Sequence, residues 1–384
     1  MAFDFSLIAQ DPGGARMGRI TTDHGTFETP MFMPVGTQGT VKTISSEDLY
    51  AIGAEIILAN TYHLYLRPGE ELIAEAGGIH EFMSWRRPVL TDSGGYQVFS
   101  LADLSRITDE GVAFRSHIDG SSHLLTPSRV VDIQIAIGSD IMMVLDQCTS
   151  YPCDRPTTEE AVQRTTRWAE QSISLYGPRF TRNGYERVLF GIVQGSVYPD
   201  LRERSANQLA ALDFPGYAIG GLSVGEPKNE TLEMVAHTTS LLPAGKPRYL
   251  MGVGYPEDIV EAIGSGVDLF DCVIPTRNAR NGTVFTSGGK LVVKNSVHAR
   301  DFGPLDPDCG CEICHTYSRA YLRHLFNAGE LLGPRLATYH SLYFYLHLLS
   351  EIRQVIREGS FLEWRERFYR SYRDSGTGSY KEER

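Results

Sequence analysis

Three aspartates, a glutamine and a set of glycines stand where short apolar runs of this chain end. Asp92-Ser-Gly-Gly-Tyr96-Gln97 follows residues 88–91, and Asp146-Gln147-Cys148 follows residues 141–145. Gln194-Gly195 follows residues 188–193, Gly220-Gly221-Leu222 closes the run that starts at Tyr217, and Asp271-Cys272 follows residues 267–270. A pair of such carboxylates can share nucleophilic and acid–base work at a glycosidic carbon. A third carboxylate beside Gln194 can hydrogen-bond a planar base that carries N–H donors, and the glycines let a flat ligand come close to the backbone. Tyr96 has a face on which a purine can stack. The plainer alternative is that each aspartate only caps a helix or a tight turn; three independent caps at corresponding places make a weaker explanation than one shared site.

A second cluster suggests metal. Cys309-Gly-Cys311-Glu-Ile-Cys314 holds half of the six cysteines in six residues. Three thiolates and one imidazole form a usual closed, four-coordinate zinc set. The fourth ligand can be His315, which would need a very tight return, or His340, which would bring the following helix onto the cluster; His340 is favoured. Iron–sulfur ligation is weaker with only three nearby thiols. Such an ion is structural and activates no water. Cys148 has no histidine near it in sequence to make a nucleophile pair, so it reads as a minor site-lining contact, and Cys153 as core.

The elements that must position these groups are legible as eight short apolar runs: residues 31–35, 55–59, 88–91, 141–145, 188–193, 217–220, 248–251 and 267–270. They lack polar alternation, as strands buried on both faces do. Helical patterns follow most of them, including one near Ser45 or Ser46 with Glu47 and Asp48 in its first turn, and a long one from about Thr158 to Tyr176 capped by Thr157 or Thr158. Eight strands with intervening helices predict an α/β (β/α)8 barrel, with an open doubly wound sheet as the alternative. No Rossmann or Walker motif supports that alternative. Barrel strands with an N-terminal extension are assigned to residues 1–276, a zinc-binding subdomain with a basic loop to 277–340, and the last barrel helix and tail to 341–384. The C-terminal helical run from about His340 to Arg370 is split by Gly359 and Ser360.

The formal net charge of −11 argues against broad nucleic-acid binding. Yet residues 272–300 contain no acid and carry Arg277, Arg280, Lys290, Lys294 and Arg300, a local surface able to meet phosphates or bases. A solvated loop is the bland alternative. No long apolar stretch suggests a membrane span, and the first residues do not read as a signal peptide. The cysteine usage is not a disulfide framework, so a reducing cytoplasm is expected.

Four motifs together carry a resemblance: residues 91–100 (TDSGGYQVFS), 190–195 (FGIVQG), 220–226 (GGLSVGE) and the CxCxxC of Cys309, Cys311 and Cys314. With these, nearly the whole chain resembles the queuine/guanine tRNA-ribosyltransferases, or tRNA-guanine transglycosylases, of the bacterial type. The resemblance implies a TIM barrel with an inserted zinc-binding subdomain near the C-terminus. It implies exchange of guanine at the wobble position of GUN-anticodon tRNAs (those for Asp, Asn, His and Tyr) for the 7-deazaguanine preQ1, on the way to queuosine. Asp271 then matches the nucleophile on the ribose and Asp92 the general acid/base. Tyr96, Asp146, Gln194, Gly221, Leu222 and Met251 match the contacts to the base. Arg277 and Arg280 match anticodon-loop contacts, with Lys290 and Lys294 beside them in the basic loop. Cys309, Cys311, Cys314 and His340 match the ligands of one structural Zn2+ per subunit.

The resemblance also implies a homodimer, which the chain itself hints at only through Tyr317, Tyr321 and Leu325. Val224, where the eukaryotic catalytic subunit has Gly, should crowd the cyclopentenediol of queuine and favour preQ1. Two other classes compete. A barrel glycoside hydrolase also uses paired carboxylates but would call for more aromatic platforms and leave the cysteine loop idle. A non-catalytic RNA-binding partner would not need Asp92 and Asp271.

Overall fold

A computed structural model describes residues 3–101, 105–182 and 184–372. The chain divides into two compact units, one made of Met1–Val41 and Glu55–Cys272, the other of Lys42–Ala54 and Val273–Arg384.

The first unit contains the barrel. Its strands run Met31–Met33 with Val35–Gly36, then Ile57–Ala59, Val89–Thr91, Ile141–Met143, Tyr185–Val193, Tyr217–Ile219, Arg248–Leu250 and Leu269–Asp271. Each pairs in parallel with its neighbour. The ring closes because Met31–Met33 pairs with the eighth strand while Val35–Gly36 pairs with the second. The expected strand over residues 31–35 is therefore broken at Pro34, which has no N–H to give to a ladder; its carbonyl still accepts from Leu58. The strands are short and almost wholly buried, which explains their unalternating sequence. The (β/α)8 reading holds, and the open doubly wound sheet is excluded by the closure.

The helices confirm the pattern with shifted ends. The long helix after the fourth strand spans Arg155–Tyr176, and its cap is Asp154, not Thr157 or Thr158. The Asp154 carboxylate accepts from Thr157 N at 2.8 Å, and Pro156 occupies the first turn where no N–H is needed. Two small antiparallel sheets were not foreseen. One is the N-terminal sheet of Asp4–Gln10, Arg16–Thr22 and Gly25–Thr29; the other, Arg106–Ile107, Val112–Arg115 and Ser122–Leu125, is inserted after the third strand.

The second unit holds the helix Ser46–Ala51, capped by Ser45, the first of the two expected caps, whose side chain forms a capping box with Asp48. It continues with the helix Ile274–Arg280, the hairpin Thr283–Thr286 and Gly289–Val292, and the helices Glu312–Thr316, Arg319–Ala328, Leu332–Glu358 and Phe361–Ser371. The last two are separated at Gly359, whose φ of 70° ends the longer one. A small core of Val284, Val293, Leu305, Ile313, Leu322 and Leu336 surrounds Cys311 and Cys314. No helix among the described residues is long and apolar enough to cross a membrane.

Candidate active site and metal centre

At the C-terminal ends of the barrel strands the acids do converge, which is where barrel chemistry resides. Asp92 follows the third strand and is buried. Its Oδ1 accepts from Thr61 N at 2.9 Å, and its Oδ2 accepts from Gln97 Nε2 at 2.9 Å and from the Asn60 amide. Burial raises its pKa to about 6; the bonds from Asn60 and Thr61 oppose this, and the charge of Asp271 adds to it. Asn60 and Thr61 follow the second strand, whose end carried no acid and so drew no attention in the sequence.

Asp271 closes the eighth strand and stays partly open. Its Oδ1 accepts from the Tyr249 hydroxyl at 2.6 Å and from Gly252 N at 2.8 Å. No donor among the described residues reaches Oδ2, so one oxygen is fixed and the other retains its lone pairs. Burial raises the pKa of Asp271, with the Tyr249 and Gly252 bonds opposing. Tyr249 had no sequence signal: in a buried strand it reads as core, and only the structure turns its hydroxyl toward the carboxylate.

Asp146 and Gln194 are buried and bonded to each other at the ends of the fourth and fifth strands. Gln194 Nε2 donates to Asp146 Oδ2 at 2.7 Å, and Ser93 Oγ donates to Oδ1 at 2.9 Å. Burial again raises the Asp146 pKa, against the bonds from Ser93 and Gln194. Two glycines are required by contact. A Cβ on Gly95 would lie 2.7 Å from the Asp146 carbonyl oxygen. One on Gly221, at φ +65°, would lie 2.2 Å from Gln194 Oε1. Leu222 is buried beside it, Met251 is half-buried after the seventh strand, and Tyr96 is 49 % exposed on the helix Gly95–Leu101. Cys148 is buried and its thiol is pushed up to about 12 by burial, then by Asp146, which rules it out as a thiolate nucleophile at neutral pH.

Gly221→Ala follows from this geometry as a test of the pocket. The Cβ must displace the Gln194 amide and with it the bond to Asp146. We expect the KM for a ligand held against this wall to rise at least about tenfold with the fold retained, since left-handed Ala costs only about 1 kcal/mol. A KM equal to that of the unaltered protein would show that this wall does not touch ligand.

The cysteine cluster assembles in the second unit. Sγ of Cys309, Cys311 and Cys314 lies 3.6, 3.5 and 3.3 Å from His340 Nδ1. A tetrahedral ion with zinc-like bond lengths to sulfur and nitrogen gives an S···N edge of about 3.6 Å, so the donors fit one ion of that size. His340 is fully buried and its Nε2 donates to the Phe285 carbonyl at 2.9 Å, which leaves Nδ1 with its lone pair toward the sulfurs. His315 is exposed in the short helix, and the choice falls to His340. The four residues could hold a metal ion.

A further group, His24, His80 and Asp140, is a structural knot. Asp140 lies before the fourth strand, at the opposite end from the acids. Its Oδ1 meets His24 Nδ1 at 2.6 Å and its Oδ2 meets His80 Nε2 at 3.1 Å. The two rings stack at 3.7 Å and 16°. Lone pairs lie in the ring planes, and nearly parallel planes offer no common point for an ion.

The basic residues lie in the second unit. Arg277 is exposed and Arg280 half-buried on Ile274–Arg280, Lys290 is half-buried on the hairpin, and Lys294 is exposed just after it. Arg280 Nε donates to the Thr276 carbonyl.

A sequence model of the family described as queuine tRNA-ribosyltransferase matches residues 11–374. The chain belongs to this family. Its curated relatives of that name include one from Pelotomaculum thermopropionicum, 56 % identical over 373 residues that cover 97 % of this chain and 99 % of that protein. One from Shouchella clausii is 57 % identical over 361 residues, 94 % and 93 % of the two chains. Another from Thermoanaerobacter pseudethanolicus is 55 % identical over 383 residues, 100 % and 99 % of the two. The protein is thus an enzyme, a pentosyltransferase of the tRNA-guanine transglycosylase type in queuosine synthesis. A glycoside hydrolase is set aside by this membership, and a non-catalytic partner by the near-full-length likeness to proteins named as ribosyltransferases.

Proposed function

We propose that the barrel mouth exchanges guanine at the wobble position of GUN-anticodon tRNAs for preQ1 through a ribosyl ester on Asp271. The observation that carries this is the asymmetry of that carboxylate: Oδ1 is held by Tyr249 and Gly252, and Oδ2 has no donor among the described residues. In the first step Oδ2 bonds to C1′, the C1′–N9 bond breaks, and its electron pair leaves with guanine, which takes the proton of Asp92. In the second, the incoming base gives its ring N–H proton to the Asp92 carboxylate, its nitrogen bonds to C1′, and the ester bond returns its pair to Asp271. Two inversions retain the configuration. Asp146, Gln194, Gly221 and Leu222 hold the base edge, with Tyr96 and Met251 as its stacking faces. Val224 supports preQ1 over queuine because a side chain stands where the larger substituent needs room.

Arg277, Arg280, Lys290 and Lys294 are proposed as tRNA contacts, in a stretch without acids. The ion of the cysteine cluster is proposed to be zinc, on its three thiolates and one imidazole. It supplies folding energy and has no place in the reaction. A homodimer in the cytoplasm is the proposed setting, supported by the Tyr317–Tyr321 stack, of which Tyr321 is 39 % exposed.

Incorporation of labelled guanine into an unmodified tRNA-Asp transcript tests the reading. We expect label to enter that transcript and none to enter one whose wobble guanosine is replaced by adenosine; equal labelling of the two would refute the assignment. The same assay reads Asp92. Its raised pKa keeps the proton up to about pH 6, and above that the acid form is lost about tenfold per pH unit. The kcat/KM for tRNA should therefore decline above about pH 6, with an acid limb as Asp271 protonates; because the two aspartates interact, both limbs belong to the pair. A flat profile from pH 5 to 8 would remove Asp92 from acid–base work.

A further inference from the structure

Arg202 lies on the helix Pro199–Ala211 and is completely buried. No carboxylate among the described residues bonds to it. Its Nε donates to the Ser196 carbonyl at 2.6 Å, and its Nη2 donates to the carbonyls of Gly220 and Gly221 at 3.1 and 3.3 Å. Nη1 is buried and bonds to no atom of the described residues. A guanidinium enclosed in this way is costly unless its hydrogen bonds define something. Its affinity for the proton is correspondingly lowered, to about 9, by burial, with the charge of Glu226 opposing.

What those bonds define is the orientation of two peptide planes. In a trans peptide the carbonyl of one residue and the N–H of the next point in opposite directions. Turning the Gly220 and Gly221 carbonyls toward Arg202 therefore turns the N–H groups of Gly221 and Leu222 away from it. The Gly221 N–H faces the Cys148 sulfur, a weak acceptor easily exchanged for an oxygen. The Leu222 N–H has no hydrogen-bond partner among the described residues. Ser223, a non-glycine residue at φ +59°, shows that this turn does not take its shape from backbone preference alone. The carboxylate of Glu226 fixes the next two N–H groups, those of Ser223 and Val224, the latter at 2.9 Å.

We propose that Arg202 is a positioning residue for base selection: it locks the Gly220–Gly221–Leu222 peptides so that the N–H groups of Gly221 and Leu222 are presented to the carbonyl oxygen of a guanine-type base. This rests on the reading of the pocket as the base site. Lysine keeps the charge but has no planar fork, so it cannot hold two carbonyls and the Ser196 oxygen in one arrangement.

The test compares the unaltered protein with Arg202→Lys and Arg202→Gln in guanine exchange, with both substrates varied. We expect the KM for guanine to rise at least about tenfold in both variants, the magnitude of losing oriented hydrogen bonds to a buried polar group, while the KM for tRNA changes less than about twofold. Adenine should also become a better competitor relative to guanine, since it lacks the carbonyl oxygen. A proportional loss of kcat for both substrates with the KM for guanine unchanged would overturn the proposal. Should the variants not fold, the Nε–H resonance of Arg202 in the native protein decides: a shift on adding guanine and none on adding adenine supports the coupling, and no shift with either refutes it. Exchange by the unaltered protein is measured alongside, so failure of the base-site reading itself would be seen there first.

Discussion

Asp271→Asn is expected to abolish base exchange while leaving the fold and tRNA binding in place. The amide oxygen of asparagine can still accept from Tyr249 and Gly252, the two groups that fix Oδ1 in the native protein. Removing a partly buried carboxylate whose pKa is raised by desolvation also relieves a cost, so the melting temperature should hold or rise. Chemistry has no such substitute. The nitrogen that replaces Oδ2 has its lone pair delocalised into the amide and does not attack C1′. Loss of the nucleophile in a covalent mechanism typically costs about 10⁴-fold or more in kcat. Exchange of labelled guanine, read beside a melting curve and a tRNA binding isotherm, separates the outcomes. Activity within about tenfold of the unaltered protein would mean that the ribose is not carried on this carboxylate.

Removal of the proposed zinc is expected to have the second large effect, and to act on folding. The second unit has a small apolar core, and the cysteine cluster lies within it. Without an ion, three sulfurs and the His340 nitrogen crowd within 4.8 Å of one another with nothing to hold them. Structural zinc in small modules contributes apparent binding energies of about 10–16 kcal/mol, more than a core of this size supplies alone. Chelation, or Cys311→Ser, should therefore abolish cooperative melting of this unit and expose its thiols to a colourimetric reagent. His340→Ala should do the same and also strip the Phe285 carbonyl of its donor. Metal analysis should find one zinc per chain before chelation. A metal-free protein with an unchanged melting curve and protected thiols would show that the cluster is only a group of buried cysteines.

The parts of this molecule that were legible in its sequence are those where one physical demand dominates. Strands buried on both faces must be apolar throughout, so the eight runs of the barrel stood out, and the acids at their ends marked the mouth. Ser45 with Asp48, and the split at Gly359, were readable because caps and left-handed ends restrict residue type. Asp154 was passed over because Thr157 and Thr158 are equally good caps by type, and only the chain path chooses among them. The two small antiparallel sheets escaped because short strands of two to seven residues, with buried and exposed positions mixed out of step, carry little periodic signal.

The site divides in the same way. Charged and thiol groups announce themselves by type, as Asp92, Asp271 and the cysteines did. The groups that orient them do not. Asn60 and Thr61 follow a strand with no acid, Tyr249 looks like core, and Arg202 looks like a solvated helix residue until its burial is known. His340 could be preferred over His315 from sequence, but its Nε2 bond to Phe285 is a long-range fact.

The most direct measurement is the mass of the peptide that contains Asp271 after reaction. Enzyme and unmodified tRNA-Asp would be mixed with guanine deaminase, which destroys released guanine and prevents its return, then quenched in acid and digested with nuclease and protease. The account predicts a nucleotide-sized ribosyl adduct on Asp271, no adduct on Asp92, and its loss when preQ1 is added before the quench. Guanine release without any adduct on Asp271, or an adduct carried by Asp92, would contradict it.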